Sequence, residues 1–122
     1  IELPSRRRLA YVRPKVEKDD NGKNIITYEG IDNSHKWNRL KTYGAKLVEN
    51  ITQGVARDLL LYAMQDMQDM EIVGHVHDEV IIECTPDVSV EQVCELMGQT
   101  PEWAEGLLLR ADGYECAFYM KQ

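Results

Sequence analysis

The sequence has few cysteines and no long apolar segment. Its 122 residues include three cysteines, an odd number, and none of them form a Cys-x-x-Cys pair. This argues against a disulfide framework or a zinc knuckle and favours a reducing, cytoplasmic location. The longest apolar run, residues 59–64, is far too short to cross a bilayer, and no secretory signal is visible. We therefore expect no membrane partner. Because the chain opens on Ile1 without a Met, we also expect a piece of a longer protein.

Basic side chains are scarce in the second half of the chain. Residues 62–122 hold 2 basic and 13 acidic side chains, whereas residues 1–61 hold 12 and 8, within a net charge of −7. A basic first half can follow a phosphate backbone, and an acidic second half can gather divalent cations. The same charges also fit two ordinary solvated faces. The length and the 43% apolar content are those of one soluble globular domain.

The first thirty residues are predicted to form a basic β-ribbon. Residues 6–13 alternate in the manner of a half-exposed strand, Asn21-Gly22 marks a hairpin turn, and residues 24–29 supply the return strand. Residues 30–42 follow no pattern that assigns them to an element.

A helical period begins near residue 43 and continues to residue 68. Apolar side chains fall on one side of this predicted helix, and a polar stripe falls almost opposite. After residue 59 the stripe gives way to apolar residues, so the second half is expected to be a buried spine. The stripe is either simply solvated or suited to the acceptors of a DNA minor groove. Its members are Lys46, Asn50, Gln53 and Arg57.

Residues 71–85 are predicted to form a β-hairpin with a polar tip. β-branched residues flank His77, Asp78 and Glu79, and the turn contains no Gly or Asn. A capping box predicts a short helix over residues 89–98. A terminal strand over residues 107–120 is the last predicted element. These elements predict a single α+β domain, an antiparallel sheet with helices packed on one face plus the N-terminal basic hairpin.

Four ordered stretches carry a resemblance to a known family. They are Leu3-Pro4-Ser5 with Arg7-Arg8-Leu9, residues 42–51 with Gln53 and residues 56–58, Val76-His77-Asp78-Glu79, and residues 103–107 with Gly113-Tyr114. Together they resemble the C-terminal palm region of family A DNA polymerases, the DNA polymerase I family, of the bacteriophage or prophage type. The resemblance covers almost the whole chain.

The resemblance implies template-dependent nucleotidyl transfer from a dNTP to a primer 3′ end. Asp78 would hold the paired Mg²⁺ ions of the palm, with Glu79 beside them in a supporting role. His77 would lie near the primer terminus, and Gln53 would contact the minor groove next to it. The implied partners are primer–template DNA, dNTP, and the remaining palm, fingers and thumb of the parent chain.

Further DNA contacts are expected on physical grounds alone. Cationic and amide side chains on the helix and near the N-terminus can meet phosphates: Lys46, Asn50, Arg57, Arg6, Arg7 and Arg8. Glu49 stands where some relatives carry a DNA-contacting Asn. The second metal aspartate and the fingers helix of the family have no counterpart in this sequence. We therefore expect the chain alone to be inactive.

Two other interpretations stay open from the sequence. His75-Val76-His77 is the HxH pattern of metal-dependent hydrolases, although their barrel needs about twice this length and more ligands. In that interpretation both imidazoles lie on one strand face and can bind a metal together. If the chain is not such a hydrolase, we expect His75 to pack against the sheet. The third interpretation is a non-catalytic α+β binding module that forms a homodimer through surfaces left uncovered.

Overall fold

The computed structural model describes residues 1–119 as an α+β fold. Five β-strands, two α-helices and one short 3-10 helix follow one another within these residues. The predicted fold class is therefore confirmed. The strands form two separate antiparallel sheets rather than one. The chain divides into two compact units, with Ile1–Val55 as the first and the second beginning at Ala56.

The first unit is built on a three-stranded sheet in the order β1-β2-β3. The strands are β1 (Val12–Lys18), β2 (Asn24–Ile31) and β3 (Trp37–Thr42), each antiparallel to the next. The return strand of the predicted ribbon corresponds to β2, but β1 begins at Val12 instead of residue 6, so the strand predicted over residues 6–13 is wrong for most of its length. β3 lies in the stretch that the sequence pattern left unassigned. A bulge interrupts β1 between Val12 and Lys15, where Pro14 has no N–H to offer the sheet.

The two loops of this sheet share one hydrogen-bonding scheme. In the first, the Asp19 carboxylate accepts the backbone N–H groups of Asn21 and Lys23 at 3.0 and 2.8 Å. In the second, the Asp32 carboxylate accepts those of Ser34 and Lys36 at 2.8 and 3.1 Å. The residue before each lysine has a left-handed backbone, with φ of +75° at Gly22 and +57° at His35.

Residues 1–9 close into a tight loop that packs against a helix. The backbone N–H of Leu3 donates to the Arg7 carbonyl at 2.8 Å, and the N–H of Leu9 donates to the Ile1 carbonyl at the same distance. Leu3 is buried, at 2% exposure. A Cβ atom on Gly54 of the helix would lie only 2.9 Å from Leu3 Cδ1. The absence of a side chain at Gly54 is therefore what lets the loop approach the helix.

That helix, α1, runs over Gly44–Asp66, close to the predicted 43–68. In its second half Leu60 and Ala63 are buried, and so is Met67 directly after its last residue, as expected for a spine, although Leu61 is exposed. Three members of the polar stripe, Lys46, Asn50 and Gln53, belong to the first unit, and Arg57 belongs to the second.

The second unit continues with a two-stranded sheet and a short helix. β4 (Glu71–Val76) pairs with β5 (Glu79–Glu83), and α2 covers Val90–Met97. The predicted capping box is present, because Ser89 and Gln92 hydrogen-bond reciprocally at the start of α2. A 3-10 turn at Glu102–Ala104 follows.

The predicted terminal strand is not formed. Residues 107–119 contain no strand, and Met120, the last residue of that prediction, lies outside the described residues. Alternation alone predicted this strand, but a strand also needs a neighbour to satisfy its backbone groups. No such neighbour pairs with residues 107–119 in the part of the chain that the structure describes.

Candidate functional site

The tip of the β4–β5 hairpin is a two-residue turn. Val76 pairs with Glu79, and His77 and Asp78 form the connection between them. His77 has a left-handed backbone, with φ of +55°. Two-residue hairpin turns demand such a conformation and usually place Gly or Asn there. The sequence instead places an exposed imidazole there, followed by the two carboxylates of Asp78 and Glu79.

A bulge lies four residues before this turn. The register shifts between Ile72 and Gly74, so Val73 is left without a partner in β5 and is exposed. Bulges bend a strand and increase its twist, and they are common next to active sites. With this extra residue in β4, Ile72 pairs with Ile82 near the base of the hairpin, and Val76 pairs with Glu79 at its tip.

The Asp78 carboxylate is exposed and accepts no hydrogen bond or ion pair from the described residues. It neither points into the apolar interior nor pairs with a cation within residues 1–119, either of which would have opposed a role in binding. Glu79 is also exposed, and its Oε2 atom accepts a hydrogen bond from the Tyr119 hydroxyl at 3.4 Å. Partial desolvation, together with the Glu79 charge, raises the pKa of Tyr119.

The donors at this tip suit magnesium but do not complete a site. Mg²⁺ prefers carboxylate and phosphate oxygens and keeps several waters, so it is often held by one or two carboxylates plus substrate phosphates. Asp78 and Glu79 are carboxylates of this kind. Within residues 1–119, no group of three or more His, Cys, Asp or Glu side chains converges as a metal centre does. The tip can thus contribute ligands to a shared site but cannot form one by itself.

The histidine pair does not have the arrangement that the hydrolase interpretation needs. His75 lies in β4, opposite Val80, whereas His77 lies beyond the end of that strand in the left-handed turn. The alternation that places residues i and i+2 on one face therefore stops before His77. The expectation that both imidazoles share a strand face is wrong. His75 is also exposed, not packed against the sheet as we expected.

In the first unit, two members of the polar stripe are joined by Glu49. Lys46 Nζ lies 3.0 Å from Glu49 Oε2, and Gln53 Nε2 donates to Glu49 Oε1 at 3.3 Å. The hydrogen bond to Glu49 and its negative charge raise the pKa of Lys46. All three side chains are exposed, so these contacts are weak and can be exchanged for contacts with a ligand.

Asn50 is engaged differently from its neighbours on the stripe. Its Nδ2 atom donates to the Tyr11 hydroxyl at 2.9 Å in a half-buried position. Tyr11 in turn stacks edge-on against Tyr28, with ring centroids 5.1 Å apart. Asn50 thus fastens α1 to the segment before β1. Arg57, the last member of the stripe, lies in the second unit and is exposed.

The three consecutive arginines near the N-terminus have different environments. Arg7 Nη2 donates to the Gly54 carbonyl of α1 at 3.0 Å. Arg6 and Arg8 lie 3.7 and 3.3 Å from the Glu2 carboxylate and remain largely exposed. Arg7 therefore holds the loop to the helix, while Arg6 and Arg8 form ion pairs with Glu2 at the surface.

A charged cluster on the three-stranded sheet was not foreseen from the sequence. Glu29 accepts from Arg13 Nη1 at 3.2 Å, from Arg39 Nη2 at 3.1 Å and from the Trp37 indole at 3.4 Å. Partial burial favours the neutral acid, but the Trp37 hydrogen bond and the two arginines outweigh it, and the pKa of Glu29 is lowered. The sequence pattern did not assign residues 30–42 to a strand, so it could not show that Trp37 and Arg39 lie beside Glu29 in the sheet.

Comparison with curated proteins relates the chain to one part of a phage DNA polymerase. The relative is the DNA polymerase of Bacillus phage SP02, which is 46% identical over 125 residues, covering 99% of this chain. The chain spans only 19% of the length of that curated relative. No protein-family profile and no solved structure matches the chain. None of the helices in residues 1–119 is both long and apolar enough to span a membrane.

Proposed function

We propose that this chain is the C-terminal palm part of a family A DNA polymerase that transfers nucleotides from dNTPs to a primer 3′ end. The observation that carries the proposal is Asp78, an exposed carboxylate at a strained hairpin tip. It occurs in a chain that aligns along 99% of its length with a phage DNA polymerase.

The surface of the chain supports a role as part of a larger protein. Large apolar side chains are exposed, among them Val16, Leu108 and Phe118. Other parts of a parent polymerase would cover such a surface.

Each candidate residue has a role that fits its position. Asp78 supplies an oxygen ligand, Glu79 supports it from the next position, and His77 contacts the primer terminus. Gln53 contacts minor-groove acceptors, for which it exchanges its weak bond to Glu49. When bound, magnesium would neutralise the charge that develops on the transferred phosphoryl group.

A chimaeric enzyme provides the test. This chain would replace the aligned segment of the SP02 polymerase, and primer extension would be measured with Mg²⁺ and four dNTPs. We expect the chimaera to extend primers and Asp78→Asn to reduce the rate by at least about 100-fold, a loss of roughly 3 kcal/mol of transition-state stabilisation. Glu83→Gln is the matched control, since Glu83 is exposed at the opposite end of β5.

Two results would count against the proposal. One is an Asp78→Asn chimaera that retains the activity of the Glu83→Gln control. The other is primer extension by the 122-residue chain alone, because the other ligands and the triphosphate-binding helix must come from elsewhere in the polymerase. Dimerisation of the chain alone, measured by light scattering, would show that its uncovered apolar surface also accepts a second copy.

A further inference from the structure

The polar face of the three-stranded sheet has a composition that the proposed function does not use. Paired residues in neighbouring strands point to the same side, so Lys15, Thr27 and Lys41 form one row across the sheet. Glu29 and Arg39 form the next row along the same face. Ile31 and Trp37 form the last, and both are exposed by about 60%.

Both carboxylates on this face are already engaged by the chain. Glu29 is surrounded by Arg13, Arg39 and Trp37, as described above. Glu17 accepts a hydrogen bond from the Thr27 hydroxyl at 2.8 Å, and the same hydroxyl oxygen accepts from Arg39 Nη1 at 3.0 Å. The face therefore carries four cationic side chains against two occupied carboxylates.

The lysines of the face are available for an external anion. Lys15 and Lys41 are exposed, and neither makes an ion pair or side-chain hydrogen bond within residues 1–119. Arg13 and Arg39 keep their orientation through Glu29, so their remaining N–H groups are fixed in space. The resulting arrangement places two exposed ammonium groups on the same face as two guanidinium groups that are ion-paired with Glu29.

Trp37 adds a flat apolar surface at one end of these cations. Its indole N–H is directed to Glu29, which fixes the ring while leaving 60% of the residue exposed. From Trp37 to Lys41 the strand advances four residues, about 14 Å. That distance accommodates about four stacked nucleotides of one strand. Unpaired bases stack on exposed aromatic rings, whereas bases inside a duplex cannot reach them.

We propose that this face binds an unpaired DNA strand, with a base stacked on Trp37 and phosphates at Lys15, Lys41, Arg13 and Arg39. The proposal goes beyond the polymerase function, because β1, β2 and β3 contain none of the residues assigned to nucleotidyl transfer. In a polymerase, the unpaired strand is the single-stranded template.

Fluorescence anisotropy of labelled (dT)12 with the 122-residue chain tests this surface, at several salt concentrations. Each phosphate contact to a single strand contributes about −0.7 to the slope of log K against log salt. Lys15→Ala with Lys41→Ala should therefore make the slope shallower by about 1.4. Lys18→Ala with Lys23→Ala is the matched control. Lys18 lies on the opposite face of the sheet and Lys23 in a loop, so the slope should stay unchanged.

Trp37 has its own test in the same assay. Loss of one base–aromatic stack should weaken (dT)12 binding about 5- to 150-fold in Trp37→Ala. Trp37→Phe should restore most of the affinity, which a purely structural role for the indole N–H would not allow. Circular dichroism confirms that each variant keeps its secondary structure.

The outcomes separate this proposal from the polymerase function. Asp78→Asn should leave (dT)12 binding unchanged, even if it abolishes extension in the chimaera. Equal losses in the two double-lysine variants, or an unaffected Trp37→Ala variant, would overturn the assignment of the face. Binding of a 12-base-pair duplex as tight as that of (dT)12 would also overturn it, because a duplex offers no base to Trp37.

Discussion

Gly54 is the position at which the structure predicts an unusual mutational outcome. Replacing Gly by Ala within a helix normally stabilises it by about 1 kcal/mol. In α1, however, the new Cβ atom would lie 2.9 Å from Leu3 Cδ1 and 3.5 Å from Arg7 Nη2. Leu3 is buried at 2% exposure, so it has little room to move away.

The magnitude follows from the balance of two opposing contributions. Overpacking of a buried contact costs about 1–3 kcal/mol. Since the helix gains about 1 kcal/mol from Ala, Gly54→Ala should lower the free energy of unfolding by up to about 2 kcal/mol. It should also weaken the hydrogen bond from Arg7 to the Gly54 carbonyl, which measures 3.0 Å.

Gly44 provides a matched control on the same helix. A Cβ atom built on Gly44 meets nothing within 4 Å, so Gly44→Ala should be neutral or stabilising. Urea denaturation followed by circular dichroism gives the free energies, and hydrogen exchange of residues 1–9 shows whether the loop has been displaced. In a Leu3→Val background, where the clashing methyl group is withdrawn, Gly54→Ala should cost less. A Gly54→Ala variant as stable as Gly44→Ala would refute the reasoning.

Three further predictions concern the loops and the hairpin tip. His35→Gly should stabilise the protein by about 1 kcal/mol in urea denaturation, because Gly adopts a left-handed backbone without the cost borne by other residues. Gly22→Ala, in the loop with the same hydrogen bonds, should destabilise it by a similar amount, and equal signs for the two variants would contradict this explanation. The pKa of Asp32 is lowered by hydrogen bonds from the Ser34 side chain and the Lys36 backbone. The Asp32 carboxylate therefore stabilises the fold fully above its ordinary pKa of 3.8, and this stabilisation is lost as the pH falls through the lowered value. In acid titrations followed by NMR, an Asp32→Asn variant should no longer show this loss of stability. His77→Gly should raise stability as His35→Gly does, yet reduce primer extension in the SP02 chimaera.

The two loops of the three-stranded sheet show how far local sequence signals reach. The first was predicted because Asn21-Gly22 marks a turn directly. The second has the same backbone hydrogen bonds, but His35 occupies the position of Gly22, so the usual glycine signal is missing. An Asp followed four residues later by a Lys is common to both loops. That spacing was the signal that could have located β3.

The helix stripe shows a different limit. Periodicity correctly placed Lys46 and Gln53 on an exposed face, because it depends only on spacing along α1. It could not foresee that Tyr11, which is 39 residues earlier, hydrogen-bonds to Asn50. The terminal strand failed for the same reason, since pairing depends on a neighbour that alternation does not identify. Local sequence patterns thus predicted most helices and strands, but they could not identify which distant residues each element contacts.

The hairpin tip was predicted from local signals, and its strain helps to interpret it. Left-handed backbone at a non-glycine residue costs about 1–3 kcal/mol, and such residues are frequent at functional sites. Strain alone does not identify His77 as functional, because His35 bears the same cost in a loop with no assigned role. The difference lies in the neighbours. Asp32 is fully occupied in holding its loop, whereas Asp78 is exposed and accepts nothing from the described residues. Under the proposed function, this exposed carboxylate beside a strained imidazole would supply a ligand oxygen to a metal that other parts of the polymerase also hold.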